Sequence, residues 1–215
     1  MLERLTVDPD EPLRAVMVWL HGLGADGHDL APLARSLGVP GVRHVLPHAP
    51  VRPVTVNGGA PMRAWYDIVS PDLGRAVDVR GILASVDEVL ELVRAERAHW
   101  GPRVGVVLAG FSQGGVIALH AGFRLAPPPL GVAALSTYFP LAGALGEGVE
   151  TCTFPVFMGH GEADPIVPLA LAEQAREQLA LRGCPPDFHV YPAPHAVHPD
   201  ELADLRAWLQ GVLPD

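Results

Sequence analysis

Short apolar runs alternate along this chain with segments of helical period, and that alternation restricts the fold more than any other feature. Val16-Met17-Val18-Trp19-Leu20 contains no polar break and ends at His21-Gly22, the pattern of a strand buried on both faces of a sheet. Runs of the same kind lie at Val42 to Leu46, Val104 to Ala109, Val132 to Leu135, Phe154 to Met158 and Phe188 to Tyr191. The clearest helix between them spans about Asp78 to His99. There Ile82, Val86, Val89, Leu90 and Val93 fall on one face and Asp78 is suited to cap the first turn. A last helix is predicted to begin at Pro199, with Asp200 and Glu201 at the positive end of its dipole and Leu202, Leu205, Trp208 and Leu209 facing inward. The pattern predicts an α/β fold for residues 1–215 as one domain: a mostly parallel central sheet, helices on both faces, and chemistry in the loops beyond the carboxyl ends of the strands. Residues 47 to 75 are rich in Pro and Gly and read as an irregular excursion from the alternation.

Other functions are excluded by composition. All fifteen basic residues are Arg, interspersed with acids under a formal net charge of −9, so no nucleic-acid footprint is expected. The absence of Lys removes Schiff-base and Ser-Lys chemistry. No apolar run approaches the ~18 residues of a membrane span, and the first ten residues lack a basic-then-apolar leader. A soluble, cytoplasmic protein without stable membrane insertion is the expectation. Cys152 and Cys184 stand 32 residues apart in neither a CxxC nor a metal-ligand spacing, and are read as a reduced, structural pair.

The chemistry is concentrated at Gly110-Phe111-Ser112-Gln113-Gly114. This GxSxG follows a predicted strand and precedes the apolar, helical Val116 to Ala121. In that context the strand turns so sharply into the helix that the serine hydroxyl is held exposed in strained geometry. A serine hydroxyl needs a base, and the base needs a carboxylate to orient it. On this kind of turn the partners follow in the order Ser, acid, His. Gly159-His160-Gly161-Glu162-Ala163-Asp164-Pro165 supplies the acid at a strand end, Asp164 being preferred over Glu162. His195 and His198 both follow the next strand. Position favours His195 in its Pro-rich loop, His198 being placed at the start of the last helix. The oxyanion of a tetrahedral intermediate needs backbone donors. The candidates are Gln113, next to the nucleophile, and Leu23 in His21-Gly22-Leu23-Gly24-Ala25-Asp26-Gly27, a turn in which Asp26 can also cap a helix. The histidines form no HExxH or comparable pattern, so no metal is expected.

These segments together resemble the phospholipase/carboxylesterase family of α/β-hydrolases, which includes the acyl-protein thioesterases. The resemblance is carried in order by HGLGADG at 21 to 27, LPHAP at 46 to 50, PVTVNGGAPMRAWYDI at 53 to 68, GFSQGG at 110 to 115, GHGEADPIVP at 159 to 168 and YPAPHAVHPDEL at 191 to 202. It implies an α/β-hydrolase fold with no large cap domain and a Ser112, Asp164, His195 triad. It further implies oxyanion donors at Leu23 and Gln113, no cofactor, and a small-molecule ester or thioester substrate. It also implies that Met62 and Trp65, with Leu73, lie near the acyl chain, core packing being the other reading of Trp65. A homodimer is left open. Two departures stand out: Pro194 replaces the usual Gly before the histidine, and Thr137 in Ser136-Thr137-Tyr138-Phe139-Pro140 replaces a usual Gly. The expected activity is hydrolysis of short or medium acyl esters through an acyl-enzyme. Thioesterase or lysophospholipase action is the near alternative, a peptidase a further one, and a non-catalytic binding domain the alternative of another class.

Overall fold

The computed structural model describes residues 2–73, 76–142 and 151–214. The apolar run at the front of the chain becomes β2 (Ala15–Leu20), buried along its whole length. Its side chains divide by parity, as a pleated strand requires. Val16, Val18 and Leu20 enter one core with residues of α2 (Val79–Trp100) and α3 (Gln113–Arg124). Ala15, Met17 and Trp19 enter a second core with α1 (Gly27–Leu37) and α5 (Pro199–Val212). Covering both faces with helices is what allows the strand to carry no polar side chain.

Among the described residues the central sheet has seven strands in the order β1-β3-β2-β6-β7-β8-β9. Here β1 is Arg4–Val7, β3 Val42–Pro47, β6 Gly105–Phe111, β7 Gly131–Leu135, β8 Val156–Gly161 and β9 Asp187–Tyr191. All neighbours pair in parallel except β1, which runs antiparallel to β3 at the edge. The predicted alternation therefore holds, with strand ends shifted by up to three residues. A further helix, α4 (Leu169–Ala180), joins β8 to β9. Among the described residues no helix is long and apolar enough to cross a membrane.

Register places the site. Leu20 pairs with Gly110, Phe111 with Leu135, Leu135 with Gly159, and Gly161 with Tyr191, so strands β2, β6, β7, β8 and β9 end at one rim. The loops carrying Leu23, Ser112, Asp164 and His195 all leave from that rim.

Two expectations are corrected. The excursion at 47 to 75 is not wholly irregular: β4 (Val51–Val54) and β5 (Ala60–Arg63) form an antiparallel hairpin around a single 3-10 turn at Thr55–Asn57. Its final residues, 74 and 75, lie outside the described residues. Cys152 and Cys184 are not a reduced pair but are joined in a disulfide, with Cα atoms 5.5 Å apart. The physical reason is tertiary. α4 and the turn after it bring residue 182 back so that the Cys152 N–H donates to Arg182 O at 2.8 Å, and linear spacing carries no sign of that return.

Candidate active site

Ser112 sits between β6 and α3 with φ 54° and ψ −119°, a region few non-glycine residues occupy. Its N–H donates to Leu135 O at 2.8 Å, and its carbonyl accepts from Gly115 N at 2.9 Å and from Thr137 Oγ1 at 2.7 Å. The glycines around it are required by space. A Cβ at Gly110 would strike the Gly114 carbonyl, one at Gly114 would strike Leu20 O, and one at Gly115 would strike Thr137. Thr137 is therefore a buried brace beneath the turn.

Asp164 follows β8, its side chain sealed from solvent. One carboxylate oxygen, Oδ1, accepts from the Ile166 and Val167 N–H groups, both at 2.8 Å. The other, Oδ2, lies 2.6 Å from His195 Nδ1. The carboxylate is thus held from one side by backbone donors and presents its free edge to the imidazole. Glu162 is exposed. His198 caps α5, its ring accepting from Asp200 N at 3.2 Å.

His195 packs against Phe111, ring centroids 4.8 Å apart, and shares with Ser112 the wall of a 530 Å³ cavity. The loop that delivers it lies directly on the end of β8, where any Cβ at Gly161 would meet the carbonyls of Ala193 and Pro194. Pro194 is accommodated there, its own carbonyl accepting from Ala196 N at 2.8 Å.

Several neighbours, most of them given no role by the motifs that contain them, set this geometry. His160 is buried, and its Nε2 donates to Val167 O at 2.8 Å, steadying the Asp164 turn. Burial lowers its pKa despite the carboxylate 3.6 Å away, so the contact with Asp164 is not an ion pair. His21 is fixed in one tautomer. Its Nε2 accepts from Ala49 N at 3.0 Å, so its Nδ1 carries the proton and donates to Gly22 O at 2.7 Å. Burial lowers the pKa of His21 too, which keeps the accepting nitrogen free. Gly24 N donates to Arg63 O at 2.9 Å, and Asp26 caps α1 through His28 N at 2.7 Å. The loop bearing Leu23 is pinned at both ends by these bonds.

Gln113 begins α3, so its N–H is one of the helix's free donors. Its buried side chain is a clamp: Oε1 accepts from Trp65 N and Nε2 donates to Tyr66 O, both at 2.7 Å. Trp65 is fully buried, its Nε1 donating to His21 O at 2.9 Å, and it lines neither cavity at the serine. Core packing is the reading of Trp65 that fits. Met62 accepts through Sδ from Asn57 Nδ2 at 3.3 Å and is likewise absent from both linings. Leu73 does line a second, 350 Å³ cavity, with Val56, Ile68, Tyr66 and Tyr138.

The two cavities meet at Ser112. Leu23 and Ile166 belong to both linings and separate them. Only the first is lined by His195 and only the second by Gln113. Ile166, 58% exposed, was missed because an apolar residue after an acid carries no motif; its exposure marks it only once folded.

Among the described residues, Asp26, His28 and His48 have ligand atoms within 4.8 Å of one another. They fit a helix cap better than a metal. His48 Nδ1 accepts from Gly27 N at 3.0 Å, which leaves the proton on Nε2, and Asp26 Oδ1 already accepts from His28 N.

The sequence profile described as phospholipase/carboxylesterase matches residues 3–213. An acyl-protein thioesterase 1 of Mycosarcoma maydis is 37% identical over 236 aligned residues, covering 100% of this chain and 98% of that protein. One of Cryptococcus neoformans is 35% identical, covering 99% and 98%. The crystal structure of Zea mays acyl-protein thioesterase 2 superposes with a TM-score of 0.87 at 27% identity, covering 99% of each chain.

Proposed function

The chain belongs to the phospholipase/carboxylesterase family, a family of serine hydrolases acting on ester and thioester bonds, and from that premise we propose that Ser112, Asp164 and His195 are its catalytic triad. The observation that carries this reading is the 2.6 Å bond between His195 Nδ1 and Asp164 Oδ2 beside a cavity that His195 shares with the strained Ser112. Asp164 accepts the hydrogen bond of the imidazole Nδ1–H, which keeps its proton, leaving Nε2 as base. Ser112 Oγ attacks the carbonyl carbon while its proton passes to Nε2. The oxyanion meets the N–H groups of Leu23 and Gln113, the latter aided by the positive end of α3. Collapse expels the alcohol or thiol, which takes the proton back from the imidazolium. Water then attacks the acyl-enzyme with His195 again as base, releasing the acid and restoring Ser112.

The direction of the substrate follows from proton delivery. The leaving group must depart on the side of the general acid, so the 530 Å³ cavity beside His195 takes it. The acyl chain extends the other way, past Gln113 into the 350 Å³ cavity with Leu73. That cavity suits short or medium acyl esters. A second reading, thioesterase action on acylated proteins or lysophospholipids, is favoured by the names of the relatives and the apolar lining.

The test is Ser112→Ala. It is expected to abolish turnover of a chromogenic ester and covalent labelling by a fluorophosphonate. Retention of either activity or labelling would remove Ser112 from the mechanism.

A further inference from the structure

The acyl cavity has a polar feature that simple chain burial does not require. Its wall is largely aliphatic, with Val56, Ile68 and Leu73, yet it also includes Tyr66 and Tyr138, whose phenols are hydrogen-bonded to each other. The two hydroxyl oxygens lie 3.0 Å apart, and the side chains are 1% and 6% exposed. Two hydroxyls carry two protons, and only one lies between the oxygens. Whichever phenol donates, the other keeps an O–H for which the described residues provide no acceptor. A buried donor without a partner is costly, and Phe at both positions would fill the same space without that cost. Burial raises the pKa of both phenols, so both stay protonated across the working range of pH.

The pair is also held in fixed relation to the nucleophile. Tyr66 O accepts from Gln113 Nε2 at 2.7 Å, and Tyr138 follows Thr137, whose hydroxyl donates to Ser112 O at 2.7 Å. A donor anchored in this way sits at a set depth along the acyl chain.

We propose that the Tyr66–Tyr138 pair is an oxygen-recognition point, so that the enzyme prefers acyl chains bearing an ether, hydroxyl or carbonyl oxygen part-way along over plain alkanoyl chains of equal length. The proposal rests on the reading that Ser112 is acylated and that the cavity of Leu73 holds the acyl group. A substrate oxygen competes with water for the same donor, so the gain is modest, about three- to tenfold in kcat/KM at the best-placed position.

The experiment compares p-nitrophenyl heptanoate with analogues in which an ether oxygen replaces the fourth, fifth or sixth chain atom, each rate divided by that of hydroxide-catalysed hydrolysis. In the wild type one analogue is expected to exceed heptanoate. The double variant Tyr66→Phe/Tyr138→Phe is expected to hydrolyse heptanoate and lose the preference. Each single variant leaves one phenol with its proton free and is expected to retain it. No ether exceeding heptanoate in the wild type overturns the proposal, and this result needs no folded variant. An unchanged ratio in the double variant overturns it equally. Failure of the serine mechanism is read separately, as heptanoate turnover surviving in Ser112→Ala.

Discussion

Ser112 occupies φ 54° and ψ −119° because the chain must leave β6 and enter α3 within one residue while lifting its side chain toward the cavity. Glycine tolerates that conformation and serine does not, so the position stores about 1–3 kcal/mol of backbone strain. Ser112→Gly should therefore be inactive yet more stable than Ser112→Ala, which keeps the Cβ. After the greater entropy of glycine in the unfolded chain is subtracted, the expected gain is about 1 kcal/mol, or ~2–4 °C in Tm. Equal melting temperatures for the two variants would show that the turn is unstrained. At this scale the residues of the proposed triad were legible because their chemistry demands particular types in a particular order. Those that hold them were less so. Nothing in the sequence distinguishes a buried His21 or His160, each neutral and bonded to backbone, from a solvated histidine.

Among the elements, α5 carries the clearest electrostatic consequence. Glu201 lies in its first turn, where Oε2 accepts from His198 N at 3.1 Å, while Oε1 is buried without a partner among the described residues, against Gly159. Burial raises its pKa from the ordinary 4.5 to about 7, the His198 bond opposing this only in part. The folded chain thus holds a proton that the unfolded chain releases, and stability falls as pH rises between those two values. Glu201→Gln keeps an acceptor for His198 and removes the charge. Its advantage over wild type should be absent near pH 4 and grow to on the order of 2 kcal/mol above about pH 8. Urea unfolding at both pH values checks this, and a difference independent of pH would refute the assignment. The helices and the buried strands could be read from period and caps: Asp78 caps α2 through Gly81 N at 2.9 Å, and Pro199 opens α5. The strands that escaped are those whose pattern is weak. β1 is a four-residue, half-exposed edge strand, and β4 and β5 contain Pro53 and Pro61, residues that ordinarily argue against a strand.

For the whole molecule, the Cys152–Cys184 link closes a loop that contains β8, Asp164 and α4. Closing a loop of that length restricts the unfolded chain by ~3 kcal/mol, on the order of 10 °C for a chain of this size. Thiol reductant should lower Tm by about that amount while leaving ester turnover at 25 °C intact, since hydrogen bonds independent of the link hold Asp164. A melting curve indifferent to reductant would show that the loop is fixed by packing alone. Long-range pairing of this kind was invisible in the sequence, as were the two cavities, because both arise only when segments distant in the chain are brought side by side. The contact between Gly161 and the backbone of Ala193 and Pro194 has a consequence for divergence. Main chain rests on main chain where the imidazole is delivered, whereas the cavity proposed for the acyl chain is walled by side chains of peripheral segments such as Val56, Ile68 and Leu73. Drift in those outer positions can redraw the menu of accepted molecules generation by generation, while the reacting groups keep their alignment.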